Sequence, residues 1–542
     1  MAQDSRYLGS ARIIAVCTVV SRITGMVRDI TVNHVYGQSA IQDAFNYGFQ
    51  IPNLFRRLFG EGALSAVFVP TFTEVLDKRG RPAAWLLLGR VAGLMALFLT
   101  ALTVLLTLGA LAVWLWLPGD PMRTLQAGLT AAMMPFMISV CLLALFSSIL
   151  NCVHHFTAPA LMPVVLNVMM IVGAIWIGPL FGKSLDVQVY GLAVSVLIAS
   201  VIQLVTVFPV LRRHGIQFRW SLDHSDPDVR RIGRIFLPVL VGQGILLFNV
   251  FFDTQLCTFL TRGPGQPETR SVLGVEFAYP LTAGALSAVT NAQRLYQFPL
   301  GVLAISLATA ALPLFSLYAS RGDMAGLRSS LGQSVRLAIF EGLPSGVVMI
   351  VLAEPIIAML FEHGRYDHTA TLRAVAVLRW YGIGMAAFCC QHMVIRGFYS
   401  LKDTMTPMWI SCYLVVLNAA MNLTLVWHPA IREAAFGIST SLTAILNVTI
   451  SMGLLRRRMQ GRVGATAIVR SVAQTALASA AAAAVAWLLL SWVDRLNLRG
   501  LGATGGRAVE VFVPLIGCML VYLAVTRILR MEELRWVLSR HK

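Results

Sequence analysis

The sequence predicts an all-α polytopic membrane protein with 14 transmembrane helices, in two pseudo-symmetric six-helix lobes followed by two C-terminal helices. Hydrophobic residues make up 57% of the 542 and charged residues 13%, with a mean hydropathy of +0.73, whereas soluble domains hold roughly 45–50% apolar residues. Lys and Arg collect in alternate loops: Lys78, Arg79 and Arg81; Arg212, Arg213, Arg219, Arg230, Arg231 and Arg234; Arg321, Arg328 and Arg336; Arg456, Arg457, Arg458 and Arg462; Arg527, Arg530, Arg535, Arg540 and Lys542. This positive-inside pattern accounts for the net charge of +18 without a polyanionic polymer, so nucleic acid is not expected as a partner.

At about 20 apolar residues per span, helices fall near 10–33, 40–70, 83–117, 125–152, 158–181, 188–211, 235–261, 281–317, 333–361, 370–399, 406–427, 435–455, 467–493 and 508–528. No short apolar region with a small-residue cleavage site precedes Arg22, so the first helix reads as an uncleaved anchor that starts in the cytoplasm. The even span count returns the C-terminus to that side and places every basic loop inside. Segments 83–117 and 281–317 exceed one straight crossing and must tilt or project beyond the hydrocarbon.

Two echoes point to duplication. Gln50-Ile51-Pro52 with an apolar run to Pro70 resembles Gln297-Phe298-Pro299 with a run to Pro313, and Val-Val-Leu-Asn recurs at 164–167 and 415–418, behind Pro159 and Pro407. Both pairs are offset by about 250 residues, as a repeated six-helix unit with both copies parallel requires. The organisation is then an N-terminal lobe at 1–211, a cytoplasmic amphipathic linker at 212–234, a C-terminal lobe at 235–455, and two further helices with a basic cytoplasmic tail at 456–542. Arg230, Arg231 and Arg234 of the linker are placed to meet the inner leaflet. Residues 262–280, rich in Gly and Pro, read as an external loop with no assigned chemistry.

Within 21–70, segments apolar enough to span carry Arg22, Arg28, Asp29, Asp43, Arg56, Arg57 and Glu61. An Arg near a helix centre costs about 2.5–3.5 kcal/mol even on the lenient insertion scale, so these groups must face protein or water. One reading is a cationic, water-filled cavity for an anionic solute; the other is snorkelling of helix-end arginines to headgroups. Arg28 and Arg56 are within snorkelling range, but Arg22 sits well inside the first apolar run, which favours the cavity. Arg57 and Glu61 have the four-residue spacing of a local pair, and Pro52 can bend the second helix ahead of its arginines.

Other chemistries find no support. The eight cysteines lie mostly within or beside apolar runs without C-x-x-C spacing, which argues against structural disulfides and zinc. His154, His155, His363 and His368 fall near span ends and are assigned no metal. The chain has no P-loop and no D-D-x-x-D acid cluster, so a gradient or the membrane potential must supply energy.

The pattern Ser21-Arg22, Gly25, Arg28-Asp29, then Asp43-Ala44-Phe45, Pro52-Asn53, Arg56-Arg57, Glu61-Gly62-Ala63 and Phe68-Val69-Pro70 is specific. With Leu360-Phe361-Glu362-His363-Gly364 and Gly397-Phe398-Tyr399-Ser400, Asp403, Thr406-Pro407, it resembles the MurJ (MviN) lipid II flippases of the multidrug/oligosaccharidyl-lipid/polysaccharide (MOP) exporter superfamily, over essentially the whole chain. The resemblance implies a transporter and not an enzyme. It implies a multi-pass protein of the bacterial inner membrane that moves lipid II, the undecaprenyl-pyrophosphate-linked peptidoglycan precursor, from inner to outer leaflet during cell-wall biogenesis. It implies a functional monomer among membrane lipids, associated with the cell-wall synthesis machinery.

The resemblance also implies that Arg22, Arg28, Arg56 and Arg294 line a central cavity and that Asp43 is functionally important; on this basis the four arginines are read as holding the pyrophosphate, with Asp43, Asp29, Arg57 and Glu61 in gating or charge balance. Guanidinium forks suit that task because they bind phosphate oxygens bidentately and stay protonated. The chain departs from one version of the family pattern at Gln293 and Gln297, where acids can occur, so Arg294 has fewer local counter-charges. Either the site is more cationic here or an acid elsewhere, such as Asp253, partners it. Some family members bind sodium through positions matching Asp253, Asn418 and Asn422, the last an acid there. Na+ is therefore a candidate ligand, although polar helix–helix hydrogen bonding explains the same residues.

The last two helices, which contain Ala476 to Val485, match those that border a groove for the polyprenyl tail, though small residues equally serve close packing. The rival functions are a flippase for another polyprenyl-linked saccharide of the O-antigen type, a cation-coupled drug exporter, a membrane enzyme acting on lipid precursors, and a non-transporting cell-wall scaffold.

Overall fold

Within a bilayer a chain can satisfy its backbone only as helices or as a closed barrel, and this one forms helices. The computed structural model describes residues 2–60, 63–116, 120–153, 155–216, 219–272, 274–459, 461, 464–496 and 502–539. The elements pack into two compact units, Met1–Thr258 with Arg262–Gly284, and Phe259–Thr261 with Ala285–Lys542. This partition follows packing, whereas the sequence boundaries at 211, 234 and 455 follow the internal repeat.

The first unit contains α1 (Ala2–Tyr36), α2 (Ala40–Gly60), α3 (Ala63–Trp116), α4 (Pro121–Met133), α5 (Pro135–Cys152), α6 (Thr157–Val172), α7 (Gly178–Phe181), α8 (Leu185–Arg213) and α9 (Pro227–Leu260). A π-helical turn, Gly173–Ile177, joins α6 to α7. Helix α1 packs on α6, and α2 packs on α4 and α5. Phe45 and Phe49 of α2 and Phe136 of α5 form a stacked column, with centroids 6.0 and 5.8 Å apart. That column fixes the rotation of α2, and with it the direction of Asp43.

The second unit contains α10 (Ala285–Val302), α11 (Ala304–Ser320), α12 (Met324–Val351), α13 (Ala353–Phe361), α14 (His368–Ser400), α15 (Met405–Leu425), α16 (Ala434–Arg458), α17 (Ala465–Arg495), α18 (Gly502–Ile528) and α19 (Glu532–Ser539). Helix α14 is its axis, packed by α10, α11, α12 and α16. The α12–α14 crossing is close because both sides are glycine: a Cβ on Gly346 would lie 2.3 Å from the Gly382 carbonyl oxygen. Small residues at such a crossing let backbones touch where lipid provides no hydrophobic driving force.

Among the described residues, 11 helical segments are long and apolar enough to cross a membrane. The protein is therefore a multi-pass all-α membrane protein. The expected count of 14 adds α1, α2 and α9 to these. Helix α2 carries Asp43, Arg56 and Arg57 in 21 residues; α1 carries Arg22, Arg28 and Asp29; and many side chains of α9 lie outside the described residues.

Several boundaries differ from expectation. The span read as 40–70 ends at Gly60, and the run from Ala63 belongs to α3, which breaks at Gly80 with φ 77°. Only glycine takes that conformation readily. The segment read as 281–317 breaks at Leu303 and the one read as 333–361 at Leu352. The amphipathic stretch of the linker is continuous with α9, which starts at Pro227. Residues 262–280 form more than a loop: Thr269–Val272 and Val275–Ala278 pair as an antiparallel hairpin. Gln266 clips this excursion to α4, donating from Nε2 to Asp120 Oδ2 at 2.6 Å.

Candidate functional site

In the first unit the site is built on α1. At 3.6 residues per turn, Ser21, Gly25 and Arg28 share one stripe and Arg22 and Asp29 share the next. The first stripe faces α6. Gly25 leaves room for Asn167, which a Cβ there would approach to 3.4 Å. Asn167 donates from Nδ2 to the Ser21 carbonyl at 3.2 Å and the Thr24 hydroxyl at 3.4 Å.

Arg28 is held on two sides. Its Nη1 donates to Asn167 Oδ1 at 2.8 Å, while Nε and Nη2 donate to Asp29 Oδ1 at 3.0 and 2.7 Å. The Arg28 and Asp29 side chains are only 14% and 12% exposed. A guanidinium is thus fixed on α1 with a carboxylate as counter-charge, which avoids the cost of a buried lone cation. Arg22, half-buried, lies on the stripe that carries Asp29.

Helix α2 presents the rest of this unit's set. Arg56 Nε donates to Asn53 Oδ1 at 3.0 Å, one turn back, just beyond the buried Pro52. Arg57 is half-buried beside it; Glu61, its expected partner, lies outside the described residues. Asp43 is buried, and its Oδ2 accepts the Gly284 backbone N–H at 2.7 Å. Gly284 has φ 90°, and a Cβ there would lie 2.5 Å from the Gln38 carbonyl oxygen, so only glycine fits. Asp43 therefore anchors the last residue before α10. Asp253 is buried on α9.

In the second unit Arg294 is half-buried on α10. Its neighbour Gln293 donates to the Tyr381 hydroxyl at 3.2 Å, and Tyr296 packs on Tyr381 and Phe388 with centroids 4.5 and 5.0 Å away. Asn418 and Asn422 are buried in a closed ring. Asn422 donates to Asn418 Oδ1 at 3.0 Å, Asn418 to Ser439 Oγ at 3.3 Å, and Ser439 to Asn422 Oδ1 at 2.6 Å. The ring joins α15 to α16, and each amide oxygen already accepts one hydrogen bond. Among the described residues no three His, Cys, Asp or Glu side chains group together as metal ligands.

The two C-terminal motifs are brackets. Glu362 pairs with Arg507 of α18 at 2.7 Å and accepts from the Thr371 hydroxyl at 2.7 Å. Asp403 accepts from the Thr406 backbone N–H at 3.0 Å and its hydroxyl at 2.8 Å, and pairs with Arg458 at 3.2 Å. Burial alone would raise the Asp403 carboxyl, but the Thr406 hydrogen bonds and Arg458 outweigh it and hold it below the usual range.

Three participants were not singled out by sequence reasoning. Asn167 closes the Val-Val-Leu-Asn echo and Asn53 follows Pro52 in the motif, so both carried a signal. Gly284 carried none, because its constraint is a contact with residues 241 and more positions away in sequence.

A family model described as lipid II flippase MurJ matches residues 32–498. A Vibrio cholerae protein described as a probable lipid II flippase MurJ is 30% identical to this chain, over 95% of it and 97% of its own length. A solved structure of a lipid II flippase MurJ in an inward closed conformation is similar with a TM-score of 0.73 at 22% identity, covering 95% of this chain and 98% of its own. An inward-facing multidrug resistance MATE family transporter of the MOP superfamily gives 0.63 at 14%, covering 81% and 94%. At these identities the structural likeness establishes the fold.

Proposed function

Since the chain belongs to the MurJ lipid II flippase family, we propose that it carries lipid II from the inner to the outer leaflet of the bacterial inner membrane by alternating access. The observation that supports this reading most directly is the Arg28 bracket, a largely buried guanidinium on α1 held by Asp29 and Asn167. Proteins keep such groups inside spans for ionic substrates. A pyrophosphate offers several oxygens and about two negative charges, and it can displace Asp29 from the Arg28 fork, since charge-assisted bonds of the same kind replace those lost.

In this reading Arg22, Arg28 and Arg56 hold the pyrophosphate together with Arg294 of the second unit. Asp29 is the counter-charge of the empty state. Asp43 serves gating through the Gly284 amide, and Arg57 and Glu61 balance charge. The termini and basic loops lie in the cytoplasm, the polyprenyl tail follows the last two helices, and the protein acts as a monomer beside the cell-wall synthesis machinery.

With the interior negative, moving a dianion outward gains about 2.3 kcal/mol per charge per 100 mV. If the arginines move with it, the same energy appears in the return of the empty cationic site. Sodium at Asp253, Asn418 and Asn422 is a separate proposal. One carboxylate and two amide oxygens are the kind of oxygen donors a monovalent cation takes, so these residue types fit it, and no step is routed through it.

The test is precursor exposure at the outer surface in cells depleted of the native flippase and carrying Arg22→Ala, Arg22→Lys or Arg28→Lys at wild-type abundance. Loss of exposure is expected in all three; full activity of all three removes the pyrophosphate role. Competition between lipid II and other polyprenyl pyrophosphates, read by native mass spectrometry, separates this substrate from related saccharide carriers.

A further inference from the structure

Arg230, Arg231 and Arg234, at the start of α9, have no part in the function above. With Pro227 and Ile235 they line an open cavity of about 450 Å³, inside the range of roughly 300–1,000 Å³ that small-molecule sites occupy. All three arginines are exposed. Arg231 pairs with Glu74 of α3 at 3.1 Å. Arg230 reaches only the His224 carbonyl, at 3.4 Å. The neighbouring acids are taken: Glu74 also by Lys78, Asp228 by Arg79, and Asp223 and Asp226 by Arg90. Among the described residues neither Arg230 nor Arg234 has an ion-pair partner.

The segment leading into α9 is strapped to α3. Ser221 N donates to the Gly89 carbonyl at 3.3 Å. A Cβ on Gly89 would lie 2.0 Å from the Arg219 carbonyl oxygen, and one on Gly93 2.3 Å from that of Ser221. With its backbone held this closely, the segment leaves Trp220 53% and Leu222 57% exposed, and Ile235 beside the cavity is 43% exposed. Tryptophan with exposed aliphatics beside cations is the composition of a membrane–water interface.

We propose that this cavity binds the headgroup of an anionic phospholipid, with Arg230 and Arg234 on the phosphodiester and Trp220 and Leu222 among the acyl chains. Charge selects the partner class: two uncompensated guanidiniums next to a bilayer meet phosphate first. The proposal rests on this end of the protein facing the anionic inner leaflet, and not on which lipid is transported.

The full-length protein would be analysed by native mass spectrometry with phosphatidylglycerol and with phosphatidylethanolamine, as wild type, R230Q/R234Q and R230K/R234K. Wild type should retain phosphatidylglycerol preferentially, the glutamine pair should lose roughly thirtyfold of that retention, and the lysine pair should keep most of it. Should the glutamine pair not fold, quenching by brominated phosphatidylglycerol in wild type and Trp220→Phe decides. The Trp220 component should be quenched more strongly than by brominated phosphatidylcholine. Equal retention in wild type and the glutamine pair, equal quenching by the two lipids, or displacement of the lipid by millimolar inorganic phosphate overturns the proposal. None of these readouts depends on lipid II transport, so a failed transport reading leaves them intact.

Discussion

Asn167 of α6 accepts from Arg28 Nη1 at 2.8 Å while its own amide nitrogen donates to the Ser21 carbonyl at 3.2 Å. One side chain thus holds both the charge and the backbone of α1, which only a group that donates and accepts can do. Asn167→Leu removes both contacts. It should cost about 1.5–3 kcal/mol, the range for a hydrogen bond to a charged group, and abolish precursor exposure. Asn167→Asp keeps the acceptor, adds a second carboxylate beside Arg28 and should weaken pyrophosphate binding with a smaller loss of stability. Thermal unfolding in detergent and precursor exposure measure the two effects; a wild-type result for Asn167→Leu in both would remove the bracket from the mechanism.

Asp43 and Gly284 separate anchoring from charge. Gly284→Ala meets both a φ of 90° and a 2.5 Å contact with the Gln38 carbonyl oxygen, so its abundance should fall by the equivalent of about 1–3 kcal/mol. Asp43→Asn retains a carbonyl acceptor for the Gly284 amide and should fold. Lost transport at normal abundance in Asp43→Asn shows that the charge itself is needed, whereas normal transport limits Asp43 to anchoring.

The Asp403 bracket predicts an acid limb in stability. The folded carboxyl lies below its usual range, so its contribution is complete above the unfolded value of about 3.9 and disappears as pH falls through the folded value. Asp403→Asn keeps an acceptor for the Thr406 amide but loses the charge facing Arg458, so it should lose about 0.2–1 kcal/mol near neutrality, the range for a partly exposed ion pair, and show a flatter decline below pH 4. Unfolding midpoints from pH 3 to 7 for both proteins test this; parallel curves contradict it.

Sodium binding has a readout apart from transport. A ligand that binds only the folded state raises stability by about 2.7 kcal/mol at a hundredfold excess over its Kd. Unfolding in sodium chloride should therefore exceed that in potassium chloride at equal ionic strength, and Asn418→Leu should remove the difference. Identical midpoints in the two salts assign Asn418, Asn422 and Ser439 to helix–helix hydrogen bonding.

Much of the fold was legible because a bilayer makes few demands and makes them strictly. Apolar runs of span length had to be helices, and α8, α14, α15 and α16 fall within a few residues of their expected limits. The break at Gly80 fell in the expected basic loop of Lys78, Arg79 and Arg81, but those at Leu303 and Leu352 were not legible, since hydropathy continues through a kink that only packing reveals. The charged residues of 21–70 announced themselves by their cost in hydrocarbon, yet nothing in their spacing says that Arg28 pairs with Asp29 and Asn167 rather than with lipid headgroups.

The sequence by itself determined a multi-pass helical protein, the family pattern and the arginines that hydrocarbon would reject, because periodicity, hydropathy and charge are local properties of the chain. Only the tertiary structure decided that Asn167 brackets Arg28, that Asp43 anchors Gly284, that Asn418, Asn422 and Ser439 close a ring, and that residues 262–280 form a hairpin clipped to α4. The Arg28 bracket, the Asp43 anchor and the clip join groups 139 or more positions apart and the ring joins α15 to α16, through hydrogen bonds a few ångströms long that exist only once helices have chosen their neighbours.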